Sequence, residues 1–100
     1  MLESYVERKV CEFAESLGWL VRKLSWIGRR GAPDRLFIRG GRIVLIEFKR
    51  PGGVLELHQE REIARLRAAG AEVHVIDTVA AGMAVLDWRR NFRPGIDDLI

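Results

Sequence analysis

Asp34, Glu47 and Lys49 are the residues whose types and spacing suggest joint chemistry. They flank Gly40-Gly41, with Leu36, Phe37 and Ile38 before the glycines and Ile43, Val44, Leu45 and Ile46 after them. Two consecutive glycines between β-rich runs signal a hairpin, because both can take positive φ. A two-residue turn there pairs Arg39 with Arg42, Ile38 with Ile43, Phe37 with Val44, Leu36 with Leu45 and Arg35 with Ile46. Asp34 then comes opposite Glu47. Directly opposed residues share a face, with Cβ atoms about 4.5–5.5 Å apart. Lys49 lies two positions beyond Glu47 and shares that face as well.

Like charges directly opposite each other are destabilising unless something sits between them. Two carboxylates at that separation suit Mg²⁺ or Mn²⁺, hard cations that also take waters and phosphate oxygens. Lys49 would then stabilise charge developing at a phosphorus centre or orient an attacking hydroxide. The plainer alternative is a salt bridge at a strand end, with Lys49 pairing Glu47 or Asp34. Register decides the matter, since a slip of one residue puts the carboxylates on opposite faces.

The elements that must hold these residues can be read along the chain. Residues 2–17 predict an amphipathic helix, with Val6, Val10, Phe13, Ala14 and Leu17 on one face and Gly18 as its stop. Glu3 falls within that apolar stripe and Glu7 on its flank. An inward Glu3 is costly to bury unpaired, which hints at a third metal-facing carboxylate; a frayed end would instead leave it in water. Cys11 is expected on the flank. A strand over 19–25 leads into a loop carrying Gly28, Arg29, Arg30 and Gly31. Strands over 34–38 and 42–49 follow, then a helix over about 57–69 closed by Gly70, a strand over 71–77 and a helix over 79–88. In the second helix Gln59, Ile63 and Leu66 share a stripe, so Gln59 faces inward. Both faces of the hairpin are apolar, as in a central strand covered by helices. The order predicts an α/β fold with a mixed sheet, its parallel step made by a crossover helix.

Composition bounds the function. One hundred residues make one domain, with 48% hydrophobic and 31% charged residues. A core this thin would gain from oligomerisation. No apolar run is long enough to span a bilayer, and the start lacks a signal-peptide pattern, so an intracellular, cytoplasmic protein without membrane association is expected. One cysteine excludes a disulfide framework and a multi-Cys zinc site. Seventeen basic against fourteen acidic residues leave a net charge of +3, and only Lys9, Lys23 and Lys49 are lysines. Arginine's planar fork suits bidentate phosphate contact, which points to a polyanionic partner. Trp26 is either a base-stacking residue or a packed loop anchor, the second being the simpler role.

Pro33-Asp34 followed by Glu47-Phe48-Lys49 resembles the signature of the PD-(D/E)XK nuclease superfamily. Gly28 to Arg35, Pro51-Gly52-Gly53, Gln59 and Gly70 narrow the likeness to a stand-alone VRR-NUC (virus-type replication-repair nuclease) domain. The resemblance covers about residues 2–88, implying a nuclease domain over 1–88 and a tail over 89–100. It implies a restriction-endonuclease-like α-β-β-β-α-β core, a central mixed sheet flanked by helices, and structure-specific endonuclease activity in DNA repair. The expected substrate is branched DNA such as a Holliday junction. By the same resemblance Asp34, Glu47 and the Phe48 carbonyl bind Mg²⁺ or Mn²⁺, Lys49 assists the nucleophile and Gln59 completes the site. A helix-one glutamate joins them. Its spacing to the helix-ending glycine favours Glu3, whereas related junction resolvases place theirs nearer Glu7. Arg29, Arg30, Arg35 and Lys23 become candidate phosphate contacts, and a homodimer is implied. The Val54–Leu57 stretch departs from the usual Ser or Thr helix cap. The alternative function is a non-catalytic junction-binding module on the same fold.

Overall fold

The computed structural model describes residues 1–91. Its elements are α1 (Glu3–Ser16), β1 (Leu20–Lys23), β2 (Arg35–Arg39), β3 (Arg42–Phe48), α2 (Leu57–Ala68), β4 (Glu72–Ile76), α3 (Val79–Leu86) and a closing 3-10 turn, Trp88–Asn91. One four-stranded sheet runs in the order β1-β2-β3-β4. The first three strands are antiparallel and β4 is parallel to β3. The mixed α/β sheet with its crossover helix is therefore as expected.

Helix ends follow glycine chemistry. At the end of α1, Gly18 (φ +89°) donates to Glu15 O and Trp19 N–H reaches Ala14 O at 3.0 Å, a Schellman stop. Gly70 (φ +103°) ends α2 the same way, with Ala71 N–H on Leu66 O at 2.9 Å. The second helix starts without a Ser or Thr; Gln59 reaches back instead, its Oε1 accepting the Glu56 N–H at 3.0 Å.

The sheet's two faces carry separate apolar clusters. Phe37, Val44, Ile46 and Phe48 pack under α1 and α3 with Val6, Val10, Ala14, Trp19 and Leu86. Leu45, Ile63 and Val73 pack under α2 with Leu36 and Leu66. Trp19 meets Phe37 edge-on at 6.5 Å and donates its indole N–H to Leu86 O at 2.8 Å. Near the hairpin turn, Arg39 donates to Leu17 O and stacks 3.9 Å from the Trp88 ring, whose N–H also reaches Leu17 O.

The hairpin register from Arg39↔Arg42 to Arg35↔Ile46 is the predicted one, but several boundaries differ. Asp34 and Lys49 lie just outside their strands, and β1 and α3 are each shorter than the sequence pattern implies. Cys11 is in the core, not on the flank, on the side of α1 that faces Arg35 of β2. Burial pushes its thiol up to about 11. Glu3, at the first turn of α1, is exposed and not buried in the stripe. Of the expected tail, residues 89–91 belong to the 3-10 turn and residues 92–100 lie outside the described residues.

Gly82 is where α3 meets α1. A Cβ there would stand 2.5 Å from Val10 Cγ2 and 2.9 Å from Val10 Cγ1. Gly82→Ala gains up to about 1 kcal/mol of helix propensity but overpacks a full core, a cost of about 1–3 kcal/mol. A lower urea midpoint is expected. An unchanged or raised midpoint would show that Val10 yields freely.

Candidate active site

Asp34 is delivered by Pro33, which is fully buried, and by its own carbonyl, which accepts the Leu24 N–H at 3.0 Å. Its side chain takes over where the β2–β3 ladder stops, Oδ2 accepting the Phe48 N–H at 2.8 Å. Lys49 N–H, one residue on, turns the other way to Ile76 O on β4 at 2.9 Å. Backbone groups alternate sides along a strand, so the N–H and C=O of Phe48 both face the Asp34 side. The Phe48 ring is buried beneath α1 and α3.

Glu47 shares the α2-facing side of β3 with Leu45 and is only 4% exposed. Its Oε2 accepts a hydrogen bond from Gln59 Nε2 at 3.0 Å and lies 3.6 Å from Lys49 Nζ. Lys49 Nζ donates to Gln59 Oε1 at 2.9 Å. One amide thus holds a carboxylate with one end and an ammonium with the other. That Gln59 orientation is also fixed by its bond to Glu56 at the helix start.

Burial and the negative charge of Asp34 push the Glu47 carboxyl up to about 7, against a smaller pull from Lys49. Asp34 is raised as well, first by burial, with the Phe48 N–H holding it back. The charge of Glu3 raises both carboxyls, whereas that of Glu7 raises Asp34 alone among the two. Glu7 is also engaged elsewhere, accepting from Arg35 Nε at 2.6 Å. Of the two helix-one candidates, Glu3 is thus the exposed carboxylate whose charge reaches both members of the pair.

A divalent cation fits this donor set. Two hard carboxylates, one nearly buried and short of positive charge, stand beside a backbone carbonyl aimed at the same side. Among the described residues no three His, Cys, Asp or Glu side chains form a ready metal cluster. A cation here would take the rest of its ligands from water and substrate oxygens, the usual habit of Mg²⁺.

The candidate phosphate contacts divide. Arg30 and Lys23 are exposed, and Lys23 pairs in register with Arg35 across β1–β2. Arg35 is tied to Glu7, and Arg29 donates to Glu62 Oε1 at 3.2 Å. Glu62 escaped the sequence reading. It is 6% exposed and also accepts from Trp26 Nε1 at 2.9 Å and Arg65 Nε at 3.0 Å. Trp26 is therefore an anchor of its loop. The arginines, Arg65 first, hold the Glu62 carboxyl below the usual carboxylate range. A carboxylate at an inward helix position beside an arginine-rich loop was the signal available for it. His58 lies 3.4 Å from Glu56, and His74 bonds Glu72 near Arg42, away from the pair.

No family model matches the sequence. A protein named "Putative nuclease p44", from Acyrthosiphon pisum secondary endosymbiont phage 1, is 38% identical over 77 residues, 76% of this chain and 83% of that protein. A solved structure titled "VRR_NUC domain" superposes with a TM-score of 0.78 at 38% identity, covering 86% of this chain and 95% of that one.

The raised Glu47 value sets a pH signature for the metal-free protein. A folded-state value above the unfolded one near 4.3 means that stability falls as pH rises from about 4 to 7. Glu47→Gln removes that penalty. It should match the parent at pH 4 and exceed it by on the order of 2 kcal/mol at pH 8 in urea titrations with EDTA. A variant less stable than the parent at pH 8 would instead make the Lys49 ion pair the dominant interaction.

Proposed function

Because the chain belongs to the VRR-NUC family, we propose that it is a divalent-metal-dependent endonuclease acting on branched DNA such as four-way junctions. The observation that carries this reading is the near-buried Glu47 beside Asp34, a concentration of negative charge that one lysine only partly offsets. Asp34, Glu47 and the Phe48 carbonyl would hold Mg²⁺ or Mn²⁺, with Glu3 as the helix-one carboxylate. When bound, the cation supplies Lewis-acid polarisation of a phosphoryl oxygen and lowers the pKa of water.

The chain's own side chains do the rest. Lys49, its ammonium fixed by Gln59 Oε1, orients the attacking water and offers positive charge to the phosphate as negative charge builds. Gln59 keeps Lys49 and Glu47 in register with each other, so neither can swing into the substrate's path. Arg30 and Lys23 contact backbone phosphates directly. Arg29 and Arg35 do so with the guanidinium N–H groups left over from their carboxylate partners. These contacts position the duplex without reading bases. A homodimer would set two such sites on a symmetric junction. Among the described residues no helix is long and apolar enough to cross a membrane. The proposed setting for the domain over residues 1–88 is DNA repair in the cytoplasm.

Purified protein is to be incubated with labelled four-way junctions, flaps and linear duplexes in Mg²⁺, Mn²⁺ or EDTA. Cutting in either metal and none in EDTA is expected, with a fall on the order of 10³-fold for Asp34→Ala and Glu47→Ala. Cutting that survives EDTA or either substitution would remove the proposal. Arg30→Ala should weaken binding to all substrates alike and reduce the slope of log affinity against log salt by about one. A selective loss for one substrate would assign Arg30 a different contact.

A further inference from the structure

Glu62 shapes the loop that precedes Asp34 in an unusual way. Its Oε2 accepts from Trp26 and its Oε1 from Arg29, so residues three apart in the loop are pinned to one carboxylate. The two residues between them, Ile27 and Gly28, form a turn that stands out from the surface. Gly28 has φ +71°, the left-handed backbone that such a reversal uses. Beyond the turn, Gly31 lies so close to α2 that a Cβ would come 3.1 Å from both Glu62 Cβ and His58 O. The loop therefore rests on α2 at both shoulders and is raised only at its tip.

The side chain at the tip is apolar. Ile27 is completely exposed, while Arg29 and Arg30 beside it are also exposed. A branched aliphatic side chain on a clamped turn gains nothing from folding, so its burial is available only to a partner. The basic flanks specify that partner's charge: a polyanion that also presents apolar faces, which is the combination offered by DNA bases and phosphates. Glu62 lies one turn along α2 from Gln59, the residue that bridges Glu47 and Lys49. The tip and the carboxylate pair are thereby referenced to one rigid helix.

We propose that Ile27, set by Glu62 as a positioning residue, is a preformed wedge that packs against unstacked bases at a DNA branch point. This rests on the nuclease reading and names the feature of the substrate that the loop selects. Isoleucine is among the side chains used to open base steps in other complexes, and opening is cheapest where stacking is already interrupted. A junction accepts the wedge at low cost, whereas a continuous duplex must first be kinked.

The test uses the full chain in EDTA, so that binding is read without cutting, on four-way junctions and linear duplexes of equal length. A 2-aminopurine at the branch point reports unstacking through its fluorescence. Ile27→Ser, a surface change with no packing to disturb, should lower junction affinity about tenfold or more and duplex affinity by less than roughly threefold. It should also abolish the rise in fluorescence and leave the salt slope unchanged, since no charge is removed. Glu62→Ala should reduce the same preference with Ile27 intact, and Glu62→Gln, which keeps one acceptor, should restore part of it. Equal binding and equal fluorescence for parent and Ile27→Ser would overturn the wedge and leave the nuclease reading standing. A parent protein that binds neither DNA would overturn both.

Discussion

The burial of the Glu47 carboxylate is the constraint on which this end of the molecule depends. Along the face that α2 covers, Leu36, Leu45, Ile63 and Val73 exclude water, and Glu47 continues the same row. An ionised carboxylate in that setting is costly unless hydrogen-bonded and countered by positive charge. Gln59 supplies the hydrogen bond and Lys49 part of the charge. The start of α2 follows from this, because the amide that bonds Glu47 and Lys49 also caps the helix at Glu56. So does the ending of the hairpin, where Asp34 gives up its place in the ladder to accept the Phe48 N–H. The fold holds the two acidic groups together at an energetic disadvantage that a cation would relieve.

The basic residues tell a complementary story. Arg35 is bound to Glu7, Arg42 to Glu72, Arg89 to Asp87, and Arg29 and Arg65 to Glu62. Arg42, with help from His74, holds the Glu72 carboxyl down to about 2. Many of the arginines are thus internal fasteners first, in a chain whose 17 basic and 14 acidic residues leave a net charge of +3. At each pairing the guanidinium, with five N–H donors in a planar fork, keeps N–H groups to spare. Attachment to the fold and contact with a phosphate are therefore compatible in one arginine side chain.

Much of this architecture was readable before any coordinates. Gly40-Gly41 set the five observed hairpin pairs, and Gly18 and Gly70 set the two helix stops. The stripe of α2 pointed Gln59 inward, and there its amide bonds Glu47. What escaped the reading depended on contacts between distant segments. Asp34 leaves the ladder because buried Pro33 and the Leu24 N–H hold its backbone, and no local pattern records either. Cys11 is buried on the side of α1 that faces Arg35, and α3 reaches Val10 only because Gly82 has no side chain, both closenesses between residues far apart in sequence. Glu62 gathers donors from positions 26, 29 and 65, and periodicity along one helix cannot say which loop lies above it.

The stacking of Trp88 on Arg39, with both side chains donating to Leu17 O, has an architectural consequence. It fastens the closing 3-10 turn beside the Gly40-Gly41 reversal, while Asp34 and Glu47 occupy the opposite extremity of the same two strands. The anchored closing turn and the acidic pair thus sit at opposite poles of the domain, separated by the length of the β-hairpin.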